Sequence, residues 1–226
     1  HMADATYPRL PVVILISGRG SNLQSIMDAV ERGSLPVEIR AVISNRPDAA
    51  GLQRAALAGI RTLVLDHACY NSREAFDRAL MTTIDTFEPA LLILAGFMRI
   101  LTPGFVRHYQ GRMLNIHPSL LPDFPGLDTH ARAIEAGRKQ HGASVHFVTE
   151  ETDGGPVVAQ VCVPVRADDD ATALAERVLA SEHKLYPLVI GWFATGRLSL
   201  QDDRLLFDGE PLTSPHRFTP EDLPAT

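Results

Sequence analysis

What most constrains the fold of this chain is a rhythm in its apolar residues. Short, largely apolar runs recur at residues 12–16 (VVILI), 39–43 (IRAVI), 62–65 (TLVL), 91–94 (LLIL) and 113–116 (MLNI). Between them lie stretches with helical spacing. Leu23, Ile26, Met27 and Val30 fall on one face of residues 22–32, and residues 51–58 form a short Ala-rich segment. A longer helix is predicted over 72–87, where Asn71 and Glu74 make a start resembling a capping box. Strands that are apolar on both faces must be covered on both faces. The rhythm therefore predicts an α/β fold, an open, mostly parallel twisted sheet with helices on both sides.

Downstream the pattern loosens. Residues 118–128 hold three prolines and read as a loop, followed by a helix over 129–136 with Asp128 placed as its N-cap. Residues 143–148 and 157–163 read as strands around Asp153-Gly154-Gly155-Pro156, an antiparallel addition toward the C-terminus. A long helix over 171–194 contains Pro187, where a kink is predicted. Residues 198–200 and 205–207 suit a terminal hairpin, and the Pro-rich, polar segment 213–226 reads as a mobile tail. His1-Met2 looks like a cloning remnant, so residues 1–9 are taken as a tag remnant and N-terminal arm. The whole chain, 1–226, is expected to form a single domain.

Composition narrows the functional classes. With 45% hydrophobic and 21% charged residues the chain is globular rather than disordered. A formal charge of −6 with no basic run argues against nucleic acid as partner, yet allows a small anionic ligand held by backbone amides. No apolar run approaches the roughly 18 residues of a membrane helix, and no signal-peptide layout opens the chain. Cys69 and Cys162 make no disulfide framework. A cytoplasmic protein is expected, with no membrane partner.

Ser17-Gly18-Arg19-Gly20-Ser21-Asn22 lies between the first strand and the first helix. Glycines there let bare amides approach a ligand at a positively polarised helix N-terminus, as a phosphate cradle requires. It is neither a Walker A loop nor a full dinucleotide fingerprint. By itself it reads equally well as a tight turn with Ser21 or Asn22 as N-cap.

Asn115-Ile116-His117 ends the fifth strand. Residues two apart project to one side, so Asn115 and His117 point together into the crevice at the carboxyl edge of the sheet, where such folds bind ligands. An amide donor and an imidazole there suit oxyanion stabilisation and proton transfer. Asp153 is a candidate third group, because a carboxylate near an imidazole orients it and favours its charged form. Taken singly, a buried His, a strand-ending Asn and a plain hairpin turn explain the same residues. His130, His141 and His146 lack metal-site spacing, so no metal is expected.

Six segments together carry a resemblance: ISGRGSN at 16–22, ISNRPDAAGL at 43–52, LAGFMRIL at 94–101, NIHPSLLPDFPG at 115–126, GASVHFVTEETDGGPVVAQ at 142–160 and EHKLYP at 182–187. In this order and spacing the core, residues 12–200, resembles the phosphoribosylglycinamide formyltransferase family, folate-dependent enzymes of purine synthesis. Its tRNA-acting relative carries an extra C-terminal domain and its deformylase relative an N-terminal regulatory domain; neither pattern matches here.

The resemblance implies a Rossmann-like formyltransferase fold and formyl transfer from 10-formyltetrahydrofolate, a co-substrate, to the glycine amine of 5'-phosphoribosylglycinamide. It implies no metal. By resemblance Asn115, His117 and Asp153 are catalytic, and Gly20, Ser21, Asn22 and Glu182 bind the ribotide. Arg73, Met98, Arg99, Ile100, Leu101, Asn115, Thr149, Glu150, Glu151, Thr152 and Asp153 lie on the folate side. Met98, Ile100 and Leu101 read equally as core residues, and Glu182 as a solvated helix Glu. The implied partners are these two small molecules, and a homodimer is an allowed assembly.

Overall fold

The computed structural model describes residues 8–224. The chain begins with β1 (Leu10–Ile16), α1 (Ser21–Glu31), β2 (Val37–Ser44), α2 (Ala50–Leu57), β3 (Thr62–Val64) and α3 (Arg73–Asp85). It continues through β4 (Leu91–Leu94), α4 (Pro103–His108), β5 (Met113–His117), α5 (Thr129–Glu135), β6 (Gln140–Phe147) and β7 (Val157–Pro164). The long α6 (Ala171–Ala194) precedes β8 (Leu198–Gln201), β9 (Arg204–Phe207), β10 (Glu210–Pro211) and β11 (His216–Phe218).

Among the described residues the main sheet has eight strands, ordered β11-β7-β6-β5-β4-β1-β2-β3, and β10-β9-β8 form a small second sheet. Strands β1 to β5 pair in parallel, β6 is antiparallel to both β5 and β7, and β11 returns parallel to β7. The expected open α/β sheet with antiparallel additions is the observed architecture.

Strand β1 shows why both faces are covered. Val12, Ile14 and Ile16 belong to one apolar cluster, with residues of α1 and α6. Val13 and Leu15, alternating with them, belong to the other, with Phe76, Leu80 and Ile84 of α3 and Phe105 of α4. Burying each such side chain stabilises the fold by about 1.5–3 kcal/mol. The strand order reverses between β1 and β4, so the carboxyl ends of β1, β4 and β5 open onto one crevice.

Several local expectations are corrected. Ser72, not Asn71, caps α3, its hydroxyl accepting from the Ala75 N–H at 3.0 Å. Asp128 holds the N-cap position of α5 in a left-handed conformation without a side-chain cap bond. Helix α6 runs on through Pro187. Helix α4, with Thr102 as its cap and Pro103 at its start, was not anticipated from the apolar pattern.

The largest correction is the mobile tail expected at 213–226. Residues 216–218 form a strand of the main sheet, and His216 and Phe218 pack their rings around Trp192. A polar, proline-rich composition is compatible with an edge strand this short, because prolines flank it rather than interrupt its ladder. Residues 225 and 226, and residues 1–7 of the expected N-terminal arm, lie outside the described residues. Among the described residues no helix is long and apolar enough to cross a membrane.

Candidate active site

Strand β5 delivers Asn115 and His117 to the crevice as expected. His117 is buried, and its Nε2 lies 2.9 Å from the Phe124 carbonyl, so Nε2 carries hydrogen and donates. Its Nδ1 faces Asp153 Oδ1 at 3.6 Å, an ion-pair distance longer than a hydrogen bond, leaving that nitrogen available to a third group. Asp153 sits at φ 52°, and its Oδ2 accepts from the Gly126 N–H at 2.9 Å. One carboxylate thus ties the 118–128 loop to the catalytic-type imidazole. Asp153 is mostly buried, its side chain 12% exposed.

A fourth group was missed. His146 on β6 is the register partner of Asn115, and its Nε2 lies 3.2 Å from Asn115 Nδ2 and 4.0 Å from Asp153 Oδ1. Burial pushes its imidazole below the ordinary range, so it is neutral. Nδ1 sits 3.0 Å from the Phe147 carbonyl, which can only accept, so Nδ1 carries the hydrogen. Nε2 then accepts from Asn115. This fixes the Asn115 amide with its nitrogen toward His146 and one N–H left for the crevice. Only the antiparallel pairing of β5 with β6 reveals this residue. A second neutral pair, His130 and His141, lies 3.1 Å apart, with His141 pushed down to about 4 by burial and then by neighbouring imidazoles.

The glycine loop lies at the same edge of the sheet, at the end of β1, with β4 between it and β5. Gly20 takes the N-cap position of α1 at φ 75°, and no side chain caps the helix. The first helical amides are therefore free for an anion. Gly20 is required on two counts. Its φ is left-handed, and a Cβ there would come within 2.7 Å of Gly51 Cα. Neither Ser21 nor Asn22 acts as the N-cap.

Instead the Asn22 side chain donates to Glu182 Oε1 at 3.0 Å, joining the loop to α6. Glu182 is buried, not solvated, and burial pushes its carboxyl up to about 7 against the opposing pull of Asn22. Tyr186, one turn further along α6, is fully buried and contacts the carbonyls of Leu94 and Leu114 at 2.7 and 3.0 Å. That pins α6 beneath the ends of β4 and β5.

Of the residues expected on the folate side, Met98 and Ile100 are 62% and 60% exposed, so they are not core residues. Leu101 packs partly against the α3-side core, and the Arg99 guanidinium lies over the Phe76 ring at 4.7 Å. Ser17 holds this strap, accepting from the Met98 N–H at 2.8 Å while its hydroxyl donates to Asn45. Arg73 is exposed at the start of α3, a turn before Phe76. Thr149 is half-buried, while Glu150, Glu151 and Thr152 are exposed, and Glu150 pairs with Arg107 at 3.2 Å.

A fixed amide N–H, an imidazole facing a carboxylate and a helix start with no side-chain cap, all at one sheet edge, suit an acyl-transfer type of site. Residues 10–190 match the family model described as Formyl transferase. The chain is 54% identical over 201 residues to phosphoribosylglycinamide formyltransferase of Escherichia coli K12, spanning 89% of this chain and 95% of that protein. It is 43% identical to the human trifunctional purine biosynthetic protein adenosine-3, spanning 85% of this chain but 19% of that one. The solved structure of phosphoribosylglycinamide formyltransferase from Coxiella burnetii superposes with a TM-score of 0.90 at 51% identity, covering 93% of this chain and 99% of the other. The chain belongs to the formyl transferase family, in its phosphoribosylglycinamide formyltransferase branch.

Proposed function

We propose that this enzyme transfers a formyl group from 10-formyltetrahydrofolate to the glycine amine of 5'-phosphoribosylglycinamide, giving formylglycinamide ribonucleotide and tetrahydrofolate. The observation that carries the proposal is the convergence of Asn115, His117 and Asp153 beside the free amides of α1. The ribotide phosphate sits on the amides of Gly20, Ser21 and Asn22, and Glu182 accepts from the ribotide's hydroxyl groups. The pterin-bearing donor lies along Met98, Arg99, Ile100 and Leu101, where the exposed side chains of Met98 and Ile100 offer it an apolar face. Arg73 and the 149–153 loop bound that side.

The neutral amine adds to the formyl carbon, and the carbonyl oxygen becomes an oxyanion. The free N–H of Asn115 and the Nδ1–H of His117 stabilise it. Collapse expels N10 of the folate, which takes up a proton as the former amine gives one up, so the exchange balances without a covalent enzyme intermediate. Asp153 holds the imidazolium during this step. The whole chain acts as one formyltransferase domain in the cytoplasm; sedimentation distinguishes a monomer from a homodimer.

Absorbance of the folate, followed with and without ribotide, tests the proposal. Turnover that requires the ribotide is expected. Turnover without it would indicate a formyl hydrolase, and none in either case a binding protein. A second test concerns the phosphate. Gly20→Val forces a β-branched residue into a left-handed conformation against Gly51, a strain of about 1–3 kcal/mol. The variant is expected to raise the ribotide KM about tenfold or more and the folate KM far less. Equal losses in a folded variant would contradict the placement.

A further inference from the structure

The loop that holds His117 is itself held from the far edge of the sheet. His117 on β5 pairs with Ser144 on β6, Ser144 with Gln160 on β7, and Gln160 with Arg217 on β11. These four residues form one transverse row, and directly opposed residues project on the same face. Ser144 and Gln160 are buried at 0% and 2% exposure.

Their hydrogen bonds leave no freedom of assignment. Gln160 Nε2 donates to the Leu121 carbonyl at 2.9 Å and to Ser144 Oγ at 3.0 Å. Its Oε1 accepts from Arg217 Nε at 3.1 Å. A carbonyl only accepts and a guanidinium only donates, so the amide has one orientation. Ser144 Oγ donates to the Ser119 carbonyl at 2.7 Å and accepts from the Leu121 N–H at 3.0 Å, which completes its capacity. Ser119 Oγ in turn donates to the Asp123 carbonyl at 2.6 Å, next to Phe124, whose own carbonyl receives His117 Nε2.

We propose that Gln160, oriented by Arg217 of the C-terminal strand, is a positioning residue for formyl transfer: it holds the 119–124 loop in the shape that presents the Phe124 carbonyl to His117. The proposal rests on the function proposed above. It makes β11, which lies beyond the region matched by the family model, part of the support of the catalytic imidazole. Gln160 touches neither substrate; it acts through Leu121, Ser144 and Ser119. Without Arg217 the Oε1 loses its donor, and the amide is held from its nitrogen side alone, by the Leu121 carbonyl and Ser144 Oγ.

The experiment uses the full chain and three variants, Gln160→Glu, Arg217→Met and Arg217→Lys. Steady-state kinetics with both substrates are combined with the ¹⁵N signals of the His117 ring. Gln160→Glu, which cannot donate to Leu121, is expected to lower kcat on the order of a hundredfold with both KM values within about twofold. Arg217→Met is expected to lose about tenfold in kcat, and Arg217→Lys to regain most of that loss. The His117 Nε2 signal should move in the first two variants and return in the third. A folded Gln160→Glu or Arg217→Met protein with unchanged kcat and an unchanged His117 signal overturns the proposal. Should Gln160→Glu fail to fold, Arg217→Met, altered at an exposed edge, decides the matter. The ring signals need no substrate, so they test the positioning even if the wild-type protein fails to formylate the ribotide, which would overturn the proposed function alone.

Discussion

Asp153→Asn is expected to lower kcat for formyl transfer on the order of 10²–10⁴-fold, with KM for the ribotide nearly unchanged. The substitution preserves shape, so the loss isolates charge and donor direction. Asp153 Oδ2 accepts from the Gly126 N–H, while Oδ1 faces His117 Nδ1 at 3.6 Å. In the Asn variant the amide oxygen keeps the Gly126 bond and its NH2 turns toward His117. A donor then faces the protonated Nδ1 where an anion stood, and the imidazolium loses its counter-charge at the moment the oxyanion needs it. Rapid-quench measurement of a single turnover separates this from any change in product release. A folded Asp153→Asn enzyme within about threefold of wild-type kcat would remove Asp153 from the chemistry.

The second large effect concerns Glu182. Burial lifts its carboxyl from 4.5 to about 7, a displacement worth on the order of 3 kcal/mol of folding free energy. The native state keeps this proton at pH values where the unfolded chain has released it. The contribution is therefore complete below the unfolded value of about 4.5 and is lost as pH rises through about 7. Glu182→Gln mimics the protonated form at every pH. It is expected to raise the melting temperature at pH 8 and to match wild type near pH 5.

Ribotide binding should run the opposite way, because hydroxyl donors favour the ionised carboxylate. Ribotide affinity is expected to rise with pH between about 6 and 8 in the wild type, with no such contribution in Glu182→Gln. The variant should then show a raised ribotide KM at pH 8 with kcat largely kept. Calorimetric titration and thermal melts across that range measure both arms. A variant with wild-type pH dependence in both would exclude Glu182 as the titrating group, and a collapsed kcat with normal KM would contradict a binding role.

The chain's apolar rhythm alone determined that a parallel sheet would be covered on both faces, because a strand such as 12–16 has no polar side to give to water. Spacing by two placed Asn115 and His117 on one side, and the glycines marked the tight loop before α1. These are local consequences of residue type, and they are legible wherever a structure is specified by near neighbours in sequence. Cap chemistry was less legible, since the sequence pointed to Asn71 and the backbone instead brings the neighbouring Ser72 hydroxyl to the Ala75 N–H.

Tertiary structure decided everything that depends on which strands meet. His146 supports Asn115 because β6 runs antiparallel to β5 in a particular register, and a shift of one residue would turn its ring to the other face. Glu182 reads as a solvated helix residue until α6 is laid beneath the sheet by Tyr186, and burial then changes its protonation chemistry. The segment 216–218 looks like tail until the exposed edge of β7 offers it a ladder, and Arg217 then reaches Gln160 across 57 positions of sequence. Pairing energy of this kind comes from backbone groups that every residue carries and from neighbours distant in the chain, so it leaves little trace in composition or local pattern.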